Sequence, residues 1–283
     1  MGINMNKIKF MLAAICCSVS FTALADQPGA KVDPSYKPSP GQAGKDVIWL
    51  PTGTELVTMM LKTANVGPQD LVYDLGAGDG KIAIAAAKEF GAKAVGIEFN
   101  PNMAAYAQRN AKQSGVGHLV KIINGDIFVE DFSKATVVTL YLLPDLNIKL
   151  RPTILKMKPG TRVVSHAFTM GDWEADKEIG NDGNAYYWVV PANVAGEWLL
   201  DGVGLKNASL TLSQRYQRIG GNLTVGGKSQ PILNPHLEGK YLRFAYVDSA
   251  DNLITVKGEF NGSVFKGEDK GGYSQGLVTG KRR

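Results

Sequence analysis

The residues with the clearest chemical potential gather around Val72-Tyr73-Asp74-Leu75-Gly76-Ala77-Gly78-Asp79-Gly80-Lys81-Ile82. An apolar run, a glycine loop and a helical pattern follow one another there. Such a loop lets a ligand come close to backbone N–H groups and to a helix N-terminus. The spacing Asp74-x-Gly76-x-Gly78-x-Gly80 differs from the G-x-G-x-x-G of dinucleotide folds, whose third glycine falls one residue later. An acid before the first glycine repels a pyrophosphate and suits a cationic amino acid moiety. Glu98 closes the next apolar run, 20 residues after Gly78, where a carboxylate can accept from ribose hydroxyls. Asp126 follows Ile123-Asn124-Gly125 at the end of the third run, placed to accept from an adenine amino group with Ile127 beside it. Three acids at three successive strand ends make a nucleoside site.

Further polar candidates are Tyr141, Asp145 and His166, at or just past the carboxyl ends of the fourth and fifth apolar runs, where ligands bind in open α/β sheets. Each has a plainer reading. Tyr141 can be core packing with its hydroxyl at the rim, Asp145 can cap the helix that follows, and His166 can be a satisfied interior histidine. Asp172-Trp173, after the fifth run, reads either as a lip over an acceptor pocket or as a loop anchored to the core. His118 and His236 stand alone, no His/Asp/Glu cluster has zinc spacing, and the serines show no nucleophile elbow, so no metal site and no hydrolase is expected.

A strict alternation positions these residues. Apolar runs at Leu71-Leu75, Ala94-Glu98, Val120-Ile123, Thr136-Leu142 and Arg162-Phe168 alternate with helical patterns over 79–90, 101–114 and 147–157, the signature of a parallel sheet with helices on both faces. Asn100, Pro101 and Gly115 punctuate the second of these helices. Thr52-Gly53-Thr54-Glu55 has capping-box spacing and predicts a preceding helix that runs to about Ala64, ended by Gly67-Pro68. After Tyr186-Val190 helical periodicity stops. Strands are expected at Leu210-Ile219, Leu223-Val225, Tyr241-Val247, Leu253-Phe260 and Ser263-Phe265, separated by Gly220-Gly221, Gly226-Gly227 and Asn261-Gly262. That describes a small antiparallel meander with too few strands for a full ligand-binding barrel. The expected fold is thus an α/β Rossmann-like sheet with helices on both faces over 46–195, followed by an antiparallel β domain over 196–283.

The N-terminus reads differently. Lys7 and Lys9 precede an apolar run from Phe10 to Phe21, and Ala23-Leu24-Ala25 stands before Asp26, the pattern of a cleaved signal peptide over 1–25. The alternative is an uncleaved membrane anchor. Residues 26–45, rich in Pro and Gly, read as a linker. On this reading the mature protein is periplasmic or secreted, has no transmembrane segment, and loses both cysteines, Cys16 and Cys17, and with them disulfide and thiolate chemistry. Losing Lys7 and Lys9 lowers the formal charge from +5 to +3, too small an excess to point to nucleic acid.

The motifs match the class I methyltransferase pattern one by one. The resemblance implies that Asp74, Gly76 and Gly78 line the methionine part of S-adenosylmethionine, that Glu98 holds its ribose, and that Asp126 and Ile127 bind its adenine. Pro51-Thr52, Asp74-Leu75-Gly76-Ala77-Gly78-Asp79-Gly80-Lys81-Ile82 and Gly96-Ile97-Glu98-Phe99-Asn100-Pro101 also resemble the mitochondrial lysine methyltransferases that modify the ADP/ATP carrier and the c-ring protein of ATP synthase, and a related bacterial group. Past the fourth run this sequence departs from the mitochondrial pair. It reads Tyr141-Leu142-Leu143-Pro144, which is not the Asn/Asp-Pro-Pro-Tyr motif of amide and adenine methylation.

The expected activity is methyl transfer to nitrogen, with a protein lysine or a small molecule as acceptor. The competing reading is a non-catalytic exported protein that binds S-adenosylmethionine or another nucleoside; a third keeps the fold and puts NAD in the site.

Overall fold

The structure is a computed structural model, and it describes residues 32–180, 184–271 and 274–283. The expected signal peptide lies outside the described residues. The first region is a sheet of seven strands, β1 (Leu71–Leu75), β2 (Lys93–Glu98), β3 (Val120–Asn124), β4 (Val137–Leu140), β5 (Arg162–His166), β6 (Lys177–Ile179) and β7 (Ala185–Val189), in the order β3-β2-β1-β4-β5-β7-β6. β1 to β5 run parallel, while β7 is antiparallel to both β5 and β6, so the sheet is mixed rather than wholly parallel. The chain leaves β1 toward β2 and β3, then returns to β4 on the other side. That reversal opens a crevice at the carboxyl ends of β1 and β4.

Adjacent strand residues serve opposite cores, as the period of two requires. Val137 and Val164 pack with α1 (Thr54–Thr63) and α2 (Lys81–Phe90), whereas Val138 and Val163 pack with Leu150 and Ile154 of α4 (Pro144–Ile154). α3 (Pro101–Gln113) starts as its punctuation dictates, with the Asn100 side chain accepting from the N–H groups of Asn102 and Met103 at 3.0 and 3.2 Å. α4 begins three residues earlier than its apolar pattern indicates, because Pro144 in its first turn has its φ preset for a helix. The capping box ahead of α1 does not form. Gly53 is the cap, without a side-chain bond, and the Thr52 hydroxyl is engaged elsewhere.

The second region is larger and more regular than its sequence indicates. Its strands are β8 (Gly196–Asp201), β9 (Ala208–Arg215), β10 (Arg218–Val225), β11 (Lys228–Pro231), β12 (Leu233–Glu238), β13 (Tyr241–Val247), β14 (Leu253–Asn261), β15 (Val264–Gly271) and β16 (Ser274–Arg282). All pair antiparallel in chain order, and β16 returns to pair with β8. β11 and β12 are two halves of one bent strand about Ile232, the first half on β10 and the second on β13, with Ile232 N–H donating to Gly221 O at 3.0 Å. The meander therefore closes on itself as an eight-stranded barrel, which corrects the reading of too few strands. Trp198, Leu200, Phe244, Val256 and Phe265 fill its interior, as small barrels require.

Gly220-Gly221 is not a turn but lies within β10, and the turn falls at Tyr216-Gln217. A Cβ on Gly221 would come within 2.1 Å of Thr211 O, so the glycine serves close backbone approach across β9 and β10. Gly221→Ala is expected to cost about 1 to 3 kcal/mol through forced backbone displacement, read as a lowered urea midpoint; an unchanged midpoint would mean that the barrel relaxes freely there.

Candidate active site

The loop between β1 and α2 turns through three left-handed glycines, Gly76 (φ +79°), Gly78 (φ +56°) and Gly80 (φ +82°). Its donors are already committed. Gly76 and Ala77 N–H both donate to Ile97 O at 2.9 Å, and Gly78 N–H donates to Glu98 Oε2 at 2.9 Å. The glycines thus supply room for a ligand, while the polar recognition falls to carboxylates.

Those carboxylates stand together. Asp74 is 2% exposed and accepts from Thr139 Oγ1 at 2.7 Å. Burial pushes its pKa up to about 7, with Asp79 and Glu98 adding repulsion. Burial also raises Glu98, against the bonds it accepts from Asn100 and Gly78 N–H. Asp126 accepts from Phe128 N–H through Oδ1 and from Lys45 Nζ through Oδ2 at 2.8 Å, and that lysine bond holds its carboxyl below the usual range.

A cavity of about 750 Å³ brings together Asp74, Gly76, Gly78, Glu98, Asp126 and Ile127 with Tyr141 at the end of β4. His166, at the end of β5, stacks on Tyr141 with ring centroids 3.8 Å apart, and its Nδ1 lies 3.0 Å from Thr52 Oγ1. Burial lowers the His166 pKa, so the ring is neutral at pH 7. Asp145 is not brought to this group. It is exposed in the first turn of α4, where a carboxylate complements the helix dipole. Trp173 is fully buried, its Nε1 donating to Gln217 Oε1 at 3.0 Å, which favours the anchor over the lip.

Sequence reasoning missed several contributors. Residues 32–50, read up to 45 as a linker, pack on α3 and over the cavity. Asp33 N–H donates to Asn102 Oδ1, Arg109 donates to Tyr36 O, and Gly41 and Trp49 exchange backbone bonds across a short loop. That loop places Lys45 4.5 Å from the centroid of the Phe99 ring and the Trp49 indole against Gly78. Thr52 carries the contact to His166 while its carbonyl accepts from Lys81 Nζ at 2.9 Å. The Pro51-Thr52 motif was its only signal. Phe168 joins the cavity wall beside Tyr141, and Asn147 holds it, donating to Phe168 O and Thr169 O at 3.2 Å.

S-Adenosylmethionine suits this donor set. The buried Asp74, destabilised as an anion, gains most from a cationic ligand, and Glu98 and Asp126 offer acceptors along one wall of a cavity sized for a nucleoside. Glu98→Ala should weaken S-adenosylhomocysteine binding at least about tenfold, since a bond to a charged group is worth about 1.5 to 3 kcal/mol. Calorimetry checks this, and an unchanged affinity would take Glu98 out of the cofactor site.

Comparison with known proteins agrees. Residues 74–177 match the ANTKMT methyltransferase domain family. A protein-lysine N-methyltransferase of Saccharolobus islandicus is 44% identical over 146 residues, 50% of this chain and 91% of that protein. The lysine N-methyltransferase of Xenopus laevis that is named for the C-type subunit of ATP synthase is 32% identical over 133 residues, and the chain spans 58% of its length. Among solved structures, an RNA methyltransferase from Salinibacter ruber in complex with S-adenosylhomocysteine is 48% identical with a TM-score of 0.50, covering 51% of this chain and 96% of that one. Fold and site together define an S-adenosylmethionine-dependent methyltransferase, an enzyme rather than a passive nucleoside-binding protein. Within that class the chain belongs to the ANTKMT methyltransferase domain family.

Proposed function

We propose that this enzyme methylates the ε-amino group of a lysine in a protein acceptor. The observation that carries this reading is the acceptor side of the cavity. There a neutral His166 stacks on Tyr141, with Phe168 beside it, at the ends of β4 and β5. S-Adenosylmethionine supplies a methyl group already activated on sulfonium. The chain's task is to orient a nitrogen and remove its proton. Tyr141 and Phe168 offer ring surface to the apolar stem of a lysine and a π-face to its ammonium. His166, held at Nδ1 by Thr52, is the group suited to accept the proton. The name of the Saccharolobus relative supports a lysine acceptor. The sequence Tyr141-Leu142-Leu143-Pro144 at the end of β4 also speaks against exocyclic amino groups of bases.

The same proposal places the mature enzyme outside the cytosol, on the strength of the charged, apolar and small-residue pattern of residues 1–25.

The test is transfer of labelled methyl from S-adenosylmethionine into separate cytosolic and exported fractions, with mass spectrometry of the products. Methyl-lysine in a protein of the exported fraction is expected. Label confined to RNA or to a small molecule would overturn the lysine reading, and an intact N-terminus on the protein from cells would overturn export.

A further inference from the structure

The barrel's tightest hold on the sheet region falls on the loop that forms the acceptor wall. After His166 the chain turns sharply at Ala167, a non-glycine residue with φ +63°, then runs through Phe168 to Met170 and Trp173. From one side α4 holds this loop, with Asn147 on the carbonyls of Phe168 and Thr169 and Arg151 on Met170 O at 2.6 Å and Asp172 at 2.5 Å. From the other side it is gripped by the tip of the β9–β10 hairpin. Four consecutive residues take part. Arg215 pairs with Asp172 Oδ2, the Tyr216 hydroxyl donates to Asp172 Oδ1 at 3.1 Å, Gln217 accepts from Trp173 Nε1 and donates to Glu174 O at 2.7 Å, and Arg218 pairs with Glu174.

The two arginine pairs are solvent-exposed and contribute little. The centre of the grip is buried. Trp173 is fully covered, Gln217 is 9% exposed, and the Tyr216 ring stacks on Trp173 with centroids 6.1 Å apart. A buried indole N–H and a buried amide that satisfy each other fix register, because displacing either leaves an unpaired polar group. The loop has little other means of holding a left-handed Ala167 and the Phe168 that follows it. The cofactor side owes the barrel nothing comparable. Asp74, the glycine loop, Glu98 and Asp126 are positioned by β1, β2, Thr139 and the segment around Lys45. The Saccharolobus and Salinibacter relatives are nearly spanned by an alignment that leaves about half of this chain unmatched, so the barrel is an addition to a methyltransferase unit.

We propose that the barrel is the positioning element of the acceptor side, with Gln217 setting Phe168 and its neighbours through Trp173. This rests on the lysine reading of the site. Two probes separate the two sides: S-adenosylhomocysteine, which fills the cofactor side alone, and a bisubstrate analogue that carries an aminoalkyl arm in place of the transferred methyl. In the intact enzyme the arm should tighten binding. In Gln217→Leu and, independently, in Tyr216→Ala, the affinity for S-adenosylhomocysteine should stay within about twofold, whereas the bisubstrate analogue loses about tenfold or more, the cost of a misplaced wall. Hydrogen exchange of amides 167–173 should quicken in both variants. A parallel loss for both probes, equal affinities in variant and parent, or unchanged exchange would overturn the proposal. An intact enzyme that gains nothing from the arm would instead overturn the lysine reading, and this inference with it.

Discussion

Asp74→Asn is expected to stabilise the folded protein above pH 7 while costing it the methyl donor. The Asp74 carboxyl is buried, and burial is the main reason that its pKa stands at about 7 rather than 3.8. A raised carboxyl pKa means that the folded state binds the proton more tightly than the unfolded chain. Below pH 4 both states hold it, and Asp74 costs nothing. Between pH 4 and 7 only the folded state does, so folding loses stability steadily as pH rises, and above pH 7 the full cost is present. The gap between 3.8 and about 7 corresponds to on the order of 4 kcal/mol. Asparagine keeps the acceptor for Thr139 and removes the ionisation. The stability of the variant relative to the parent should therefore climb from pH 4 to 7 and level off, as read by urea unfolding at each pH. Over the same range the parent's affinity for S-adenosylmethionine should rise as Asp74 ionises. The affinity of the variant should be lower by roughly ten- to a hundredfold at pH 8, the worth of one charge-assisted bond. If the two stability curves run parallel, the buried charge carries no cost; if affinity survives, Asp74 does not meet the cationic part of the donor.

That stability is spent on an unfavourable ion explains why Asp74 was legible in the sequence. A carboxylate closing an apolar strand is conspicuous, and Glu98 and Asp126 repeat it at the ends of β2 and β3, where the alternation of strands and helices fixes their position. The acceptor side depends on contacts that no local pattern carries. Thr52 has the spacing of a capping box, yet its hydroxyl meets His166, 114 residues away, and Gly53 takes the cap. Lys45 sits in a stretch whose proline and glycine content suggests a linker, and only the tertiary structure sets it on Asp126.

The barrel was legible as strands but not as a closed cycle. Pro231 and Pro235 demote the bent strand of β11 and β12. The glycine-rich β16 reads as a tail, and Gly220-Gly221 imitates a turn in the middle of β10. Closure depends on the long-range pairing of β16 with β8, which sequence periodicity does not encode.

His166→Gln is expected to lower turnover by on the order of a hundred- to a thousandfold, the usual worth of a positioned proton acceptor, with donor affinity unchanged. Thr52 distinguishes this from a packing role. In the tautomer in which Nδ1–H donates to Thr52 Oγ1, Nε2 keeps its lone pair and can take a proton; in the other tautomer Nε2 is a donor and cannot. Thr52→Val removes the partner that selects between them, so it should cost less than loss of the ring, about tenfold, and should leave the lower limb of the pH–rate profile in place. That limb belongs to His166. Burial holds its pKa below 6.5, so the parent gains activity as the ring deprotonates below that pH. His166→Gln should lose that inflection and retain only the rise at higher pH from the acceptor amine itself. A profile of unchanged shape in His166→Gln, or a loss in Thr52→Val as large as that in the histidine variant, would assign His166 to holding Tyr141 in place rather than to proton transfer.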